Sequence, residues 1–131
     1  MAKKKTRSQL VKELDKVFSE YIRKRDADEN GNVACFTCGK VMHWKEIQCG
    51  HFQSRKHYAT RWNEQNCEPQ DAACNVFRYG EQFKFGINLD KKYGAGTAET
   101  LERMARFTIK FTNSELEEKI EYYKSLTKIN K

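Results

Sequence analysis

Five cysteines in the middle of the chain constrain its fold more than any other feature of the sequence. Cys35 and Cys38 form a Cys-x-x-Cys pair, and Cys67, Asp71 and Cys74 follow in one short downstream stretch. Two thiolates two residues apart on a tight turn bind one tetrahedral zinc ion without strain. The pattern predicts a structural zinc site with Cys35, Cys38 and Cys74 as three of its ligands.

The fourth ligand of this zinc site stays open between Asp71 and Cys67. The usual second Cys-x-x-Cys pair is replaced by Asp71-x-x-Cys74, and Cys67 lies one further turn back. Zinc accepts a carboxylate oxygen as well as sulfur, so both residues are candidates. Cys49, the fifth cysteine, is predicted to be a small buried apolar residue.

The start of the chain bears on the state of these thiols. It is basic, and no apolar stretch follows it to make a signal peptide, so we expect a cytoplasmic protein. Cytosolic thiols stay reduced, and an odd number of cysteines does not make a complete disulfide framework. Metal ligation or catalysis is therefore the favoured use of the clustered cysteines.

Helical periodicity predicts α-helices on both sides of the cysteine-rich section. A capping box that begins at Thr6 starts an amphipathic helix over residues 8–25. C-terminal helices are predicted over 97–128, the first capped by Thr97 and the second by a capping box that begins at Ser114. These helices flank the cysteine-rich section, which contains the candidate metal-binding residues.

Within that section the apolar pieces are short. Those at 33–36, 40–44 and 47–52 are separated by glycine and polar residues, which predicts one small antiparallel ribbon. A short helix is expected to start near Ala72. The glycines that follow predict a loop with a short helical piece around 89–93.

The net charge of +7 is concentrated at the two ends of the chain. Residues 1–25 hold nine Lys or Arg against three acids and residues 91–131 hold nine against six, whereas residues 26–90 hold seven against nine. Basic ends suit a polyanion such as DNA. No apolar run approaches the roughly 20 residues that span a bilayer, so no membrane partner is expected. The candidate phosphate-binding residues are Lys3, Lys4, Lys5, Arg7, Arg55, Lys56 and Arg61.

The residues between the two cysteine half-sites carry a resemblance to a class of nucleases. After the Cys-x-x-Cys pair come Gly50-His51, then Asn66, then Cys74-Asn75. This order and these gaps resemble an HNH nuclease of the ββα-metal type, with Asn75 in the third place. The resemblance implies an α+β fold around a ββα-metal core.

A longer run of residues is similar to the phage NinG (Rap) recombination family. It extends from Ile22 to Gly80, and the similarity covers roughly residues 20 to 125. The resemblance implies a small structure-specific endonuclease that cuts branched DNA, including Holliday junctions, during phage recombination in a bacterial host. The family's pattern has Cys where this chain has Asp71, a departure that concerns the fourth zinc ligand and leaves the catalytic positions unchanged.

Phosphodiester hydrolysis needs an activated water, neutralisation of charge and stabilisation of a leaving alkoxide. We expect His51 to be the general base, because a histidine at a strand end can orient a water while its other ring nitrogen bonds a backbone carbonyl. The resemblance implies that Asn66 braces the loop that positions His51. It also implies that Asn75, with His51, holds one catalytic Mg²⁺ or Mn²⁺, and His57 is a candidate to assist.

These observations predict one α+β domain over residues 1–131. It consists of a basic leader (1–7), a helix (8–25), a zinc-stapled ββα-metal core (33–80) and C-terminal helices (97–128). The predicted function is divalent-metal-dependent cleavage of branched DNA. The alternative is a non-catalytic zinc-finger-type DNA-binding protein, which would need neither His51 nor Asn75. Symmetric cutting of a four-way junction needs two active sites, so we expect a homodimer, with the amphipathic terminal helices as candidate interfaces.

Overall fold

A computed structural model of the chain describes residues 4–129, so Lys3 lies outside the described residues. The described chain contains five α-helices, four short strands and one π-helical turn. In chain order these are α1 (Arg7–Arg25), β1 (Asn32–Ala34), β2 (Val41–His43), β3 (Gln48–His51), α2 (Tyr58–Arg61), β4 (Cys67–Gln70), the π-helical turn (Ala73–Phe77), α3 (Gln82–Tyr93), α4 (Thr97–Ala105) and α5 (Asn113–Ile129). None of the described helices is both long enough and apolar enough to cross a bilayer.

Helices α1 and α5 pair through their apolar faces and form the main core. The predicted capping box is present, since Thr6 Oγ1 accepts from Gln9 N at 3.2 Å and Thr6 N donates to Gln9 Oε1 at 2.9 Å. Buried side chains at helical spacing then form the contact. They are Leu10, Leu14, Phe18 and Ile22 of α1 and Leu116, Ile120 and Tyr123 of α5. Helices α1 and α5 thus cover each other's apolar faces.

The C-terminal helices start differently from the sequence prediction. Thr112 and Glu115 form the reciprocal capping box of α5, at 3.1 and 2.9 Å, two residues before the predicted one at Ser114. Both registers fit the S/T-x-x-E pattern, so the sequence alone did not separate them. Helix α4 follows Gly96, and Asp90 Oδ1 of α3 accepts from Ala98 N at 2.9 Å in its first turn, whereas Thr97 makes no capping bond.

Helix α3 is longer than the predicted piece around 89–93. It includes Gly86, where an added Cβ would lie 3.2 Å from the ring of Phe52. Glycine in this stretch predicts a loop, whereas in the structure Gly86 lies within the helix and lets an aromatic side chain approach it closely. Phe52 directly follows β3, so α3 supports the end of that strand.

The strands form two separate two-stranded antiparallel sheets, which corrects the prediction of a single ribbon. Strand β1 pairs with β2, and β3 pairs with β4, with His51 opposite Cys67. Strand β4 is not predicted by the sequence pattern, because it contains Pro69 and all four of its residues are buried, so it lacks the period-two pattern of a half-buried strand. The carbonyl of Pro69 accepts from Phe36 N at 2.8 Å and ties the two sheets together.

Candidate metal site and active-site cleft

Four side chains from two distant parts of the chain converge into a cluster able to hold a metal ion such as zinc. The ligand atoms of Cys35, Cys38, Asp71 and Cys74 all lie within 4.8 Å of one another. Cys38 Sγ lies 2.8 Å from Asp71 Oδ2. Asp71 is the fourth member of this cluster, whereas Cys67 lies outside it, on β4 opposite His51.

Local backbone structure builds each half of this cluster. The first half is a knuckle closed by Gly39 N to Cys35 O at 2.9 Å, with Gly39 at a φ of +80°. This left-handed conformation favours glycine, as the sequence indicated. In the second half Asp71 Oδ1 accepts from Cys74 N at 2.9 Å. One oxygen of Asp71 thus fixes the turn that carries Cys74, and the other faces Cys38.

The titration of the cluster fits a cation site. Hydrogen bonding to the Asp71 carboxylate raises the pKa of Cys38 to about 12, and the same bond lowers the pKa of Asp71. The pair therefore shares one proton at neutral pH. A cation with thiolate and carboxylate ligands would displace this proton, and borderline-soft zinc accepts both donor types.

The π-helical turn that follows Asp71 carries one residue of the metal cluster and one residue of a neighbouring cleft. Arg78 N donates to Ala73 O at 2.9 Å, five residues back, which is the wider π spacing. Within this turn Cys74 is buried in the metal cluster, while the next residue, Asn75, lines a cleft. One turn therefore couples the metal cluster to the cleft.

The cleft has a volume of about 510 Å³ and lies between α1, β3 and the π-helical turn. Its polar lining combines acid, base, amide and cationic side chains. The described residues that line it are Asp15, Phe18, Ser19, Arg23, Ile47, Gln48, Cys49, His51, Ser54, Arg55 and Asn75. His51 and Asn75, predicted to act together, lie in this one cleft.

His51 is held in one tautomer. Its Nε2 lies 3.0 Å from the carbonyl oxygen of Arg61. A carbonyl oxygen only accepts, so Nε2 donates and Nδ1 keeps the lone pair. Burial lowers the pKa of His51, with Arg55 acting in the same direction and Asp15 against it. The ring is therefore neutral near pH 7 and able to accept a proton.

Asn66 is buried and fixes the loop between β3 and β4. Its Oδ1 accepts from Gln53 N at 2.8 Å, and its Nδ2 donates to the carbonyls of Gln53 and Thr60 at 3.0 and 3.1 Å. These bonds join the segment after His51 to helix α2, which ends at Arg61. Asn66 thus supports both the strand end that carries His51 and the helix whose last carbonyl orients its ring.

The structure adds two cleft residues that the sequence reading did not single out. Asp15 of α1 is half-buried, and its carboxylate accepts from Trp62 Nε1 at 2.9 Å and from Arg61 at 3.1 and 2.5 Å. Gln48 Oε1 accepts from Asn75 Nδ2 at 2.8 Å and orients that amide. Asp15 lies at the edge of the apolar face of α1. A charged residue at that edge is the sequence feature that could have indicated a role for Asp15.

Several predicted residues are placed away from the cleft or are already paired. His57 precedes α2 and does not line the cleft within the described chain. The Arg61 guanidinium is engaged by Asp15, Lys5 pairs with Glu13, and Arg7 donates to the carbonyl of Phe111. Arg55 lines the cleft with its side chain 63% exposed, and Lys56 and Lys4 are exposed. Of the predicted cations within the described chain, Arg55 is the one that lines the cleft, and its guanidinium lies 4.0 Å from Asp15 Oδ2.

Gly50 precedes His51 at a point where β3 and β4 leave no room for a side chain. An added Cβ would lie 2.0 Å from Gln70 Oε1 and 2.7 Å from its Cδ. Gln70 is fully buried and donates to Gly80 O at 2.8 Å and to Thr37 Oγ1 at 3.1 Å. A larger side chain at position 50 would therefore displace the buried Gln70 side chain.

This contact predicts that Gly50→Ala destabilises the protein. Gln70 must move and lose both hydrogen bonds, so we expect the free energy of unfolding to fall by about 1–3 kcal/mol. Urea unfolding of wild type, Gly50→Ala, Gln70→Ala and the double variant measures this effect. The double variant is expected to be no less stable than Gln70→Ala. A Gly50→Ala protein as stable as wild type would contradict the contact.

The family model described as Bacteriophage Lambda NinG protein matches residues 1–131 of this sequence. Comparisons with curated proteins and with solved structures find no match. The family match covers the whole chain, including the cysteine cluster and the cleft. The chain belongs to the bacteriophage lambda NinG family.

Proposed function

We propose that this chain is a divalent-metal-dependent endonuclease of the HNH (ββα-metal) type that cuts branched DNA, such as Holliday junctions, with His51 as general base. The observation that carries the proposal is the setting of His51. It is a neutral, oriented imidazole in a polar cleft that an oriented Asn75 and the exposed Arg55 also line. Membership of a phage recombination family supports a DNA intermediate as the substrate.

The order of elements around the cleft supports the HNH assignment. Strand β3, a loop braced by Asn66, strand β4 and the π-helical turn follow one another. A ββα-metal core needs this order, with the base on the first strand and an amide on the helix. The cysteine cluster pins the start of that helical turn through Cys74.

The chemistry assigned to the chain's own residues begins at His51. Its lone-pair nitrogen takes a proton from a water that attacks the phosphorus, while Nε2 remains bonded to Arg61 O and keeps the ring in place. Asp15 favours the resulting imidazolium by its negative charge. Arg55 at the rim is placed to bind a phosphate oxygen of the substrate.

A hard cation fits the oxygen donors of this cleft. Asn75 uses its Nδ2 toward Gln48, and within the described chain no group donates to its Oδ1. That amide oxygen is a donor of the kind that Mg²⁺ or Mn²⁺ prefers. The Asp15 carboxylate, whose oxygens accept from Arg61 and Trp62, adds negative charge to the cleft. When bound, such a cation neutralises charge on the phosphate and stabilises the leaving oxygen. Mg²⁺ prefers these oxygen donors and zinc prefers the thiolates of the four-residue cluster, so the two ions have different preferred sites.

A homodimer remains part of the proposal. Two clefts related by a twofold axis would cut two strands of a four-way junction symmetrically. Helices α1 and α5 use their apolar faces on each other, so the interface would lie on another part of the surface. Within the described chain the most exposed aromatic side chains are Phe77, Tyr79 and Phe83, next to the π-helical turn.

A substrate panel tests the proposed function. Purified zinc-loaded protein is incubated with a four-way junction, a linear duplex and a single strand of matched sequence, each with Mg²⁺, Mn²⁺ or EDTA. We expect cleavage of the junction with either cation and none with EDTA. Binding of the junction without cleavage in any condition would instead support a zinc-dependent DNA-binding module.

The burial of His51 predicts the pH dependence of cleavage. Because burial lowers the pKa of His51 below its usual value of 6.5, the base form persists as the pH falls through 6.5. We expect the acid limb of the cleavage rate to lie below pH 6.5. Single-turnover rates at constant ionic strength between about pH 5 and 8 measure this limb. A midpoint above pH 6.5 would contradict the assignment of the buried His51 as base.

A further inference from the structure

A second group of metal-binding side chains lies beside the proposed base and does not belong to the zinc cluster. The ligand atoms of Cys49, His51 and Cys67 all lie within 4.8 Å of one another. Cys49 and His51 are two residues apart on β3, and Cys67 pairs with His51 across the sheet. Side chains in these positions share one face of a sheet, so their proximity follows from the strand register.

We propose that Cys49, His51 and Cys67 form a second metal site, which takes a thiophilic divalent cation such as Zn²⁺ and thereby blocks the base. Two thiolates and one imidazole, with a fourth position left for water, are a ligand set that zinc uses in proteins. Cys49 and His51 line the cleft, which gives the fourth position access to solvent. The two thiolates and the imidazole are soft or borderline donors, so Mg²⁺ does not compete for them.

The distances allow such a site with little movement. Zinc bonds of about 2.3 Å to sulfur and 2.0 Å to nitrogen place tetrahedral ligand atoms roughly 3.5–3.8 Å apart. The atoms here need to close from at most 4.8 Å. Both thiols lose a proton to solvent when the ion binds, as thiolate ligation requires.

The expected consequence for cleavage rests on the proposed function. A neutral imidazole has one nitrogen with a free lone pair. Whichever ring nitrogen the cation binds, the other nitrogen carries the hydrogen, so His51 has no lone pair left to accept a proton from water. Excess zinc would therefore stabilise the fold through the first cluster and inhibit cleavage through the second.

Cobalt titration tests the site without any measurement of cleavage. Protein that carries one equivalent of zinc is titrated with Co²⁺, which binds more weakly than zinc and so leaves the first cluster loaded. Wild type is expected to develop thiolate-to-cobalt absorption that saturates at one further equivalent. The half-buried Cys49 is the residue to replace, because Cys67 lies in the main core and its removal threatens the fold.

Two variants decide the outcome, each checked for its fold by circular dichroism. Cys49→Ser is expected to lose the absorption, and Ser54→Ala, a change at the rim of the same cleft, is expected to keep it. No thiolate–cobalt absorption in wild type, or equal absorption in Cys49→Ser, would overturn the second site.

The ratio of junction cleavage rates with and without excess zinc is then measured within each protein. Excess zinc should reduce the cleavage rate of wild type by a factor at least ten times larger than the factor for Cys49→Ser. Equal reduction in the two proteins would overturn the inhibitory role. Absence of cleavage by wild type with Mg²⁺ and no excess zinc would refute the proposed function, while the cobalt titration would still report on the site.

Discussion

Replacing His51 with alanine is expected to slow cleavage of a four-way junction about 100- to 10,000-fold, the range that a general base contributes. The side chain is the neutral imidazole of the cleft, and Nε2 is committed to the Arg61 carbonyl, so its other nitrogen is the proton acceptor. Junction binding should be retained, because Arg55 and the basic ends of the chain are unchanged. Single-turnover cleavage and a gel-shift assay measure the two effects.

His57→Ala is the matched control for this prediction. His57 is also half-buried, but it lies before α2 and outside the cleft lining. The His57→Ala variant is expected to cleave the junction at a rate within a few fold of the wild-type rate. Equal loss of cleavage in both variants would point to damage of the loop rather than to a base. Full activity of a folded His51→Ala protein would refute the assignment.

The second large effect is expected at Asp71. Structural zinc stabilises small modules on the order of 10 kcal/mol in apparent terms, so loss of one of four ligands should cost much of the stability of this chain. Asp71→Ala also removes the bond to Cys74 N. We expect this variant to lose zinc to a mild chelator and to unfold at lower urea concentration. Zinc content at one equivalent and urea midpoints measure both effects.

Three further variants separate ligation from backbone support. Asp71→Asn keeps an oxygen for Cys74 N but lacks the carboxylate charge, and is expected to lose zinc. Asp71→Cys restores the family's pattern and should hold zinc at least as tightly as wild type. Asp28→Ala removes an exposed carboxylate that accepts from Asn30 N and Asn32 N, and it should keep zinc. If Asp71→Ala kept its zinc while Cys67→Ala lost it, the four-residue cluster would be wrong.

The helices were the part of the fold most accessible to sequence reasoning. The apolar spacing of α1 and the Thr6 capping box are local signals, and the structure has the helix within one residue of the prediction at its start. Strand β4 was not accessible, because its burial comes from packing on both faces and removes the alternation that marks a strand. The loop predicted at Gly86 was wrong for a similar reason, because this glycine allows a close contact with Phe52 within a helix rather than a turn.

In the candidate site, too, residues set by local spacing could be predicted from the sequence, and residues set by tertiary contacts could not. Cys35, Cys38 and Cys74 were predicted from spacing alone, because ligand pairs on tight turns are local. That Asp71 rather than Cys67 lies in the cluster followed only from the fold, since both are close to Cys74 in sequence and Cys67 lies on β4 opposite His51. Asp15 was missed because it reaches the cleft from a helix far away in sequence, and Arg61 was predicted as a DNA contact because its ion pair with Asp15 is a tertiary contact.

The central claim is that the cleft around His51 hydrolyses DNA rather than only binding it. The most direct measurement forms the complex of zinc-loaded protein with a labelled four-way junction in EDTA, confirms that all the junction is bound, and then adds excess Mg²⁺. Wild type should convert the bound junction to cut strands in a single turnover, and His51→Ala should hold it intact over the same time. A junction that stays bound and uncut by wild type with both Mg²⁺ and Mn²⁺ would contradict the claim.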